Sequence, residues 1–545
     1  MSTTVTRSYS NGMPKVGPLL LYLAALAGGT YAAFQPTFDS GFAHMQADPG
    51  DTVLNHYLLE HTWRAVADPG YRGTLWSPPM FHPEPLTLAY SENFLGVAPA
   101  YWALRLALPY DLAYQWWMIG LTAANFAAFA AAARRVGLPH VLAAAGGYVW
   151  AFGLVHLEQL RHQQMIPRFW FPVAAYYAWR FATAPAGRSL HRAAGAVALQ
   201  TAACIYTGWF LAVGVGVFAA AALTLEPGGW RRARAFAAAN RGMVALTLGG
   251  WGLVVAALAA PYVAVNHRGG RAYADVIRHM PTPSAWLASP PGGRWYETVR
   301  PFREGVDEEC TLFSGFGGLA VAAAGVVAAR RLAGSPAWAG PARLAGAAAA
   351  TAGLLVALTT DWSDGRGVSG WSVLRLLPGG TGLRVVSRVY TDVYLFATLG
   401  GLVGVWALAE TGLRAARARR AVYAGVAAVL VFEQTGYTPP SFPKADFYPA
   451  AGRCGAALCG ADAGYVPLTW GRIPEHGDLL GMWAGLFANV PVVNGYSGRL
   501  PDGYPPKLVL TDAELRAWLG PAFRGRLAVI DPTTDPPAVR YLDFE

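Results

Sequence analysis

The feature that most constrains this chain is a succession of apolar runs. Most are about 15 to 25 residues long, the length that crosses a bilayer core as a helix. They fall at about 16–34, 112–133, 140–155, 166–183, 193–207, 208–225, 243–265, 311–329, 344–360, 389–409 and 420–434. Of 545 residues, 54% are hydrophobic and only 14% charged, where a soluble chain carries about 25% charged. The fold expected is an all-α polytopic membrane domain of about eleven transmembrane helices. The first run follows Arg7 and Lys15 and has no clear small-residue cleavage site, so it reads as a retained helix.

Orientation follows from arginine in the short loops. Arg134-Arg135, Arg188 and Arg192, Arg231 and Arg232, Arg330-Arg331, and Arg417, Arg419 and Arg420 all fall on one side. That side is expected to be cytoplasmic. The segments 35–111, 156–165, 266–310 and 361–388 and the tail from about 435 then share the outer face. Phe94–Pro109 is apolar but short and contains Arg105, so it reads as a helix lying on the membrane surface. Residues 435–545 have no apolar span and are richer in Pro, Gly and Asp. They read as a small periplasmic α/β domain, with a strand at Leu527–Ile530 and a helix at Asp512–Trp518, after a membrane domain over 1–434.

The net charge of +10 is almost entirely arginine, since Lys15, Lys444 and Lys507 are the only lysines. A GC-rich genome accounts for such a bias. Some of these arginines can also grip phosphate, for which a guanidinium fork is well shaped, and both readings can hold. The basic residues lie between apolar spans, which excludes a nucleic-acid face. Of the four cysteines, Cys204 lies in an apolar run, while Cys454 and Cys459 are close enough to pair in an oxidising compartment. No zinc-type spacing occurs.

The first outer loop carries the acidic residues most worth weighing. Asp48 and Asp51 stand three apart straight after the first span, with Asn55, Glu60 and His61 following. If a helix starts near Asp51, both carboxylates can face one cavity. Either can take a proton from a hydroxyl or hold a divalent cation. Capping of that helix is the structural alternative. His82 and Glu84, in a proline-rich stretch, suit site lining or an ordinary loop equally. His156, Glu158 and His162 form a polar cluster between two spans, suited to metal binding or to a hydrogen-bonded network. Arg268 and Arg271 lie in the arginine-rich loop that ends at Glu308-Glu309. Arg384 and Arg388 follow Pro378-Gly-Gly-Thr-Gly382; four apart, they would share one helix face, positioned for a phosphate. Interfacial anchoring explains such arginines too. In the tail, Asn494-Gly-Tyr496-Ser-Gly498 suits tight turns, with Tyr496 able to stack on a sugar.

These pieces, in this order, resemble the polytopic glycosyltransferases of the GT-C class, which includes protein O-mannosyltransferases and the aminoarabinose transferases of lipid A. The early acidic motif maps onto Asp48 and Asp51. His82-Pro-Glu-Pro-Leu86 resembles the segment before the second span, and the Asn494–Gly498 tail resembles that of bacterial members. One departure stands out: there is no Asp-x-Asp or Asp-Glu pair in the first loop. The resemblance implies a bacterial inner-membrane enzyme with its N-terminus cytoplasmic and its site on the outer face. It implies a polyprenyl-phosphate sugar donor, a glycan, lipid or protein acceptor, and inversion at the sugar carbon. A lipid transporter or flippase, and a non-catalytic scaffold with a sugar-binding tail, are the rival readings.

Overall fold

The computed structural model describes residues 16–266, 271–363, 365–467, 475–505 and 509–545. Helices dominate it. Seven are long and apolar enough to cross a membrane: Val16–Ala33, Tyr110–Arg135, His140–Arg161, Ile205–Leu225, Arg241–Ala264, Ala339–Thr359 and Val386–Gly412. Four more stand where the sequence predicts spans: Trp170–Thr183, Gly187–Ala203, Phe316–Leu332 and Ala416–Glu433. They are shorter or, at Arg417, Arg419 and Arg420, more charged. Leu19, Leu20 and Leu23 on the first helix, and Leu246, Leu253 and Val263 on Arg241–Ala264, are exposed. Outward leucine on polytopic helices is what a hydrocarbon surrounding requires.

Helix ends follow the local chemistry. Pro139 fixes the entry to His140–Phe152, and Gly137 makes the preceding turn at φ +103°. Gly187–Ala203 and Ile205–Leu225 are separated by Cys204 alone, which is extended and accepts the Thr207 N–H at its Sγ. A Cβ on Gly208 would lie 2.3 Å from the Thr201 Cα, so only glycine allows the helices to meet this closely. The short helix predicted on the membrane surface is Ala98–Arg105, too short to span.

The segment 35–111 and the tail are built into each other. Strand β1 (His44–Gln46) pairs antiparallel with β2 (Ser441–Pro443). In the tail, β3 (Ala463–Tyr465) runs parallel to β4 (Gly525–Asp531), and β4 pairs antiparallel with β5 (Ala538–Phe544). The helix Asp512–Leu519 closes its first turn with a Thr511–Glu514 capping box. One apolar cluster joins Val53, Leu54, Tyr57 and Leu58 of the helix Asp51–Ala67 to Leu479, Leu480, Met482 and Trp483 of the helix Glu475–Ala488. Trp483 Nε1 donates to the Val53 carbonyl at 3.1 Å. Cys454 is buried in this core and Cys459 is exposed, and the disulfide that their spacing allows is not formed.

Candidate functional site

The helix Asp51–Ala67 begins with a division of labour between its two acidic residues. Asp48 Oδ1 accepts the backbone N–H of Gly50 at 2.7 Å and of Asp51 at 3.1 Å, closing the turn that starts the helix. Asp51, the first helical residue, is thereby released from capping. Its Oδ2 lies 2.7 Å from His162 Nδ1, and its Oδ1 accepts the Tyr496 hydroxyl at 3.3 Å. The loop carrying His162 is fastened to the same helix. Asn55 Nδ2 donates to Gln163 and Gln164, and Gln163 donates to Thr52 Oγ1 at 2.7 Å.

From His162 a chain of charge continues inward. Its Nε2 lies 3.3 Å from Glu309 Oε1. Glu309 in turn accepts Arg388 Nε at 3.3 Å and Nη2 at 3.2 Å, a bidentate pair. The Arg388 guanidinium lies over the Tyr206 ring, 5.1 Å from its centroid. Burial disfavours a charged His162, but Glu309 and Asp51 outweigh it and raise its pKa to about 9. Both ring nitrogens therefore carry protons at neutral pH. Burial likewise opposes an ionised Asp51 and an ionised Glu309. For Asp51 the His162 hydrogen bond and charge win, and its carboxyl sits below the usual range. For Glu309 the Arg388 charge and then His162 hold it well below. Asp48 moves the other way, raised by burial and by the Asp51 charge.

This chain forms one end of a cavity of about 1740 Å³. Asp48, Asp51, Asn55, His162, Arg271, Arg384, Arg388 and Tyr496 all line it, from parts of the sequence more than 400 residues apart. The far wall is apolar. Val197 on Gly187–Ala203, Val213 and Val217 on Ile205–Leu225, and Val255, Ala256 and Ala259 on Arg241–Ala264 face it. Three arginines stand around the polar end. Arg271 donates its backbone N–H to the Thr381 carbonyl and its Nη2 to the Gly498 carbonyl. The Arg384 backbone N–H donates to the Tyr206 hydroxyl at 2.6 Å. Arg499 is bonded to Asn266. None of the three guanidinium groups has a carboxylate partner among the described residues.

Several sequence expectations are revised here. Arg384 and Arg388 do not share a helix face. The glycines after Pro378 keep the chain irregular, Arg384 sits between two short 3-10 turns, and the long helix starts only at Tyr390. Glu60 does not line the cavity; it is buried on the opposite side, accepting Arg105 Nε at 2.8 Å and the Tyr101 hydroxyl at 2.7 Å. His61 is buried against the Tyr71 hydroxyl. His82 lies under the tail, its carbonyl accepting from Trp518, and Glu84 accepts the Tyr90 hydroxyl. Asn494 is buried, bonded to the backbone of Val466 and to Asp478. His156, Glu158 and His162 do not converge: His156 is enclosed by Trp150, Tyr390 and Tyr394, while Glu158 accepts from Thr311. Arg268 lies outside the described residues. Three cavity residues were missed as site candidates: Glu309, Tyr206 and Arg499. Glu309 closes the arginine-rich loop and Arg499 directly follows the Asn494–Gly498 motif, so each had a signal in its neighbourhood.

The acids of the cavity are already partnered and leave no vacant carboxylate cage for a divalent cation among the described residues. His162 occupies the space between the Asp51 and Glu309 carboxylates. Glu308 pairs with Arg161, Asp307 with His279, and Asp48 with backbone amides. No group of three or more acidic, histidine or cysteine side chains suited to a metal occurs among the described residues. This side-chain arrangement does not fit a metal ion.

No protein-family model matches the sequence, and no curated protein matches it. Solved structures of similar course include the Archaeoglobus fulgidus oligosaccharyltransferase in its apo form, at 10% identity and a TM-score of 0.46, covering 88% of this chain and 65% of that one. The same protein with Zn and sulfate gives 12% identity and a TM-score of 0.43, over 87% of this chain and 62% of that one. ArnT from Cupriavidus metallidurans in the apo state gives 11% and 0.41, over 88% and 85%. The chain thus spans less than two thirds of the archaeal protein. At these scores the likeness carries no argument about chemistry.

Proposed function

We propose that this chain is a multi-pass membrane glycosyltransferase of GT-C type, moving a sugar from a polyprenyl-phosphate donor to an acceptor hydroxyl on the outer face. The observation that carries the reading is the composition of a single cavity. One wall is apolar and made by three helices of the membrane domain. The other end brings an ionised carboxylate into the same cavity as three arginines that lack acidic partners among the described residues. An amphiphile with a phosphate between a long tail and a polar head suits both chemistries at once. At about 1740 Å³ the space exceeds that of a drug-sized ligand site, about 300–1,000 Å³, and leaves room for an acceptor. In this reading all eleven helices span, and residues 435–545 form the outer domain that closes the cavity with Tyr496 and Arg499.

The roles follow from the geometry. Arg271, Arg384 and Arg499 hold the donor phosphate, and Arg388 is kept by Glu309 for an internal role. Asp51 takes the proton from the acceptor hydroxyl. The freed oxygen bonds to the anomeric carbon from the face opposite the phosphate, inverting it. The carbon–oxygen bond to phosphate breaks, and the electron pair leaves with the polyprenyl phosphate. A phosphate departs readily with arginines around it, so no acid is required on that side. The test is lipid analysis of a strain lacking the gene: a polyprenyl-phosphate sugar should accumulate and disappear on complementation. An unchanged pool of lipid-linked sugars would count against the assignment.

A further inference from the structure

Two carboxylates held across a short gap are the usual means of gripping a divalent cation, with oxygens about 2.0–2.6 Å from the ion. Asp51 and Glu309 are set up in this way, one from the first outer loop and one from the 266–310 loop. The gap is filled by a ring. His162 Nδ1 is 2.7 Å from Asp51 Oδ2, and Nε2 is 3.3 Å from Glu309 Oε1. We infer that, on the glycosyltransferase reading above, transfer needs no divalent cation, because the imidazolium of His162 is the cation that these two carboxylates hold.

Three further features support this. The ring is not a loose tenant. Its side chain is 14% exposed, its backbone carbonyl accepts the Met165 N–H, and the next residue, Gln163, is buried and bonded to Thr52 and Leu160. Displacing the ring would mean remaking this loop. The charges also balance already: Asp51 and Glu309 are answered by His162 and Arg388. A divalent ion added beside them would leave uncompensated positive charge in a half-buried site, close to three more arginines. Finally, the remaining acids of the cavity are engaged elsewhere, Asp48 with the backbone N–H groups of Gly50 and Asp51. Glu308 belongs to Arg161, Asp307 to His279, and Glu92 accepts the Ile205 N–H at 2.9 Å. His162 acts through Asp51 and Glu309 and is a positioning residue: it fixes where the Asp51 carboxylate points and keeps it ionised.

The experiment uses the full chain purified in detergent. Turnover of a short-chain polyprenyl-phosphate sugar should be unchanged by EDTA, and unchanged again by added Mg²⁺ or Mn²⁺. A titration with Mn²⁺ followed by electron paramagnetic resonance should show no stoichiometric site on the parent protein. His162→Gly should lose about a hundredfold in turnover, the scale of a mispositioned base, and imidazole in the buffer should restore part of it. A residue with only a packing role would not respond to imidazole. Turnover abolished by EDTA and restored by metal would overturn the inference, as would a Mn²⁺ site on the parent protein that is lost in Asp51→Asn. Both of these arms use or start from the unaltered chain, so a folding defect in His162→Gly does not affect them. Absence of transfer from every donor tried, together with no Mn²⁺ site, would instead overturn the glycosyltransferase reading and leave the charge assignment standing.

Discussion

Asp48 and Asp51 are chemically identical and three residues apart, yet the structure assigns them opposite duties, and replacing each by asparagine separates those duties. In Asp51→Asn the amide oxygen can still accept from His162 Nδ1, so the loop keeps its anchor and the chain should insert normally. The lost element is the negative oxygen that receives the acceptor proton. A positioned general base is worth about 10²–10⁴ in rate, or about 3–5 kcal/mol at about 1.4 kcal/mol per decade. Asp51→Asn should therefore lower kcat by at least about a hundredfold. Donor affinity should stay close to the parent value, because on the proposed function the phosphate is held by Arg271, Arg384 and Arg499. In Asp48→Asn, Oδ1 remains an acceptor for the Gly50 and Asp51 N–H groups. An exchange that keeps its hydrogen bonds costs about 0.5 kcal/mol or less, so transfer should stay within about threefold. The assay is release of polyprenyl phosphate from a short-chain donor, with acceptor saturating and donor varied. Equal losses in the two variants, or near-normal kcat in Asp51→Asn, would refute the division of labour.

Four other outcomes are expected. Arg384→Ala and Arg271→Ala should each weaken binding of a short-chain donor by about tenfold, the scale of one charge-assisted contact, as read by calorimetry in detergent; unchanged binding in both would remove them from the phosphate site. Transfer should fall as pH rises through about 9, where His162 loses one of the two ring protons that face Asp51 and Glu309, with Asp48 and Arg388 the next charges out. No matching acid-side fall should appear within the ordinary carboxylate range, because the pKa of Asp51 is lowered; a pH–rate profile checks both limbs. Glu60→Ala should destabilise the fold by about 3–5 kcal/mol by leaving Arg105 without its partner; a thermal midpoint equal to the parent's would contradict that role. A topology reporter fused after Tyr437 should read periplasmic and one at Gly137 cytoplasmic; reversal at either would undo the shared outer face.

The helical framework was legible because hydropathy runs report spans directly, and the first-loop carboxylates were legible because charge is scarce in this chain. Asp51 stood out for that reason. Glu60 stood out equally, and wrongly: a buried glutamate satisfied by Arg105 and Tyr101 has the same sequence signature as one lining a site. Asn494 and His61 are cases of the same kind. The helical spacing of Arg384 and Arg388 misled because periodicity presumes a helix, while the glycines after Pro378 hold that stretch in short irregular turns. Tyr206 had no signal in the sequence, and the arginine-rich loop that marked the neighbourhood of Glu309 did not say what it would pair with. Each matters through a partner more than 70 residues away, and only the packed fold brings those partners together.

On the proposed function, the placement of the arginines gives a reason for burying one of them. Arg388 is spent on Glu309, and Glu309 on His162, so the charge that positions Asp51 is balanced within the protein before any ligand arrives. Arg271, Arg384 and Arg499 have no carboxylate partner among the described residues and remain available to an anion. If the same arginine served both ends, a bound phosphate would draw it from Glu309 and loosen His162 as the base was needed. Separating the two sets lets donor and acceptor sites act on one carbon without competing for one cation. That separation depends on the tail, which supplies Tyr496 to Asp51 and Arg499 to the arginine group. The β1–β2 pairing and the Trp483–Val53 contact fix the tail against the first loop, so the polar end of the cavity is complete only when both ends of the chain have packed together.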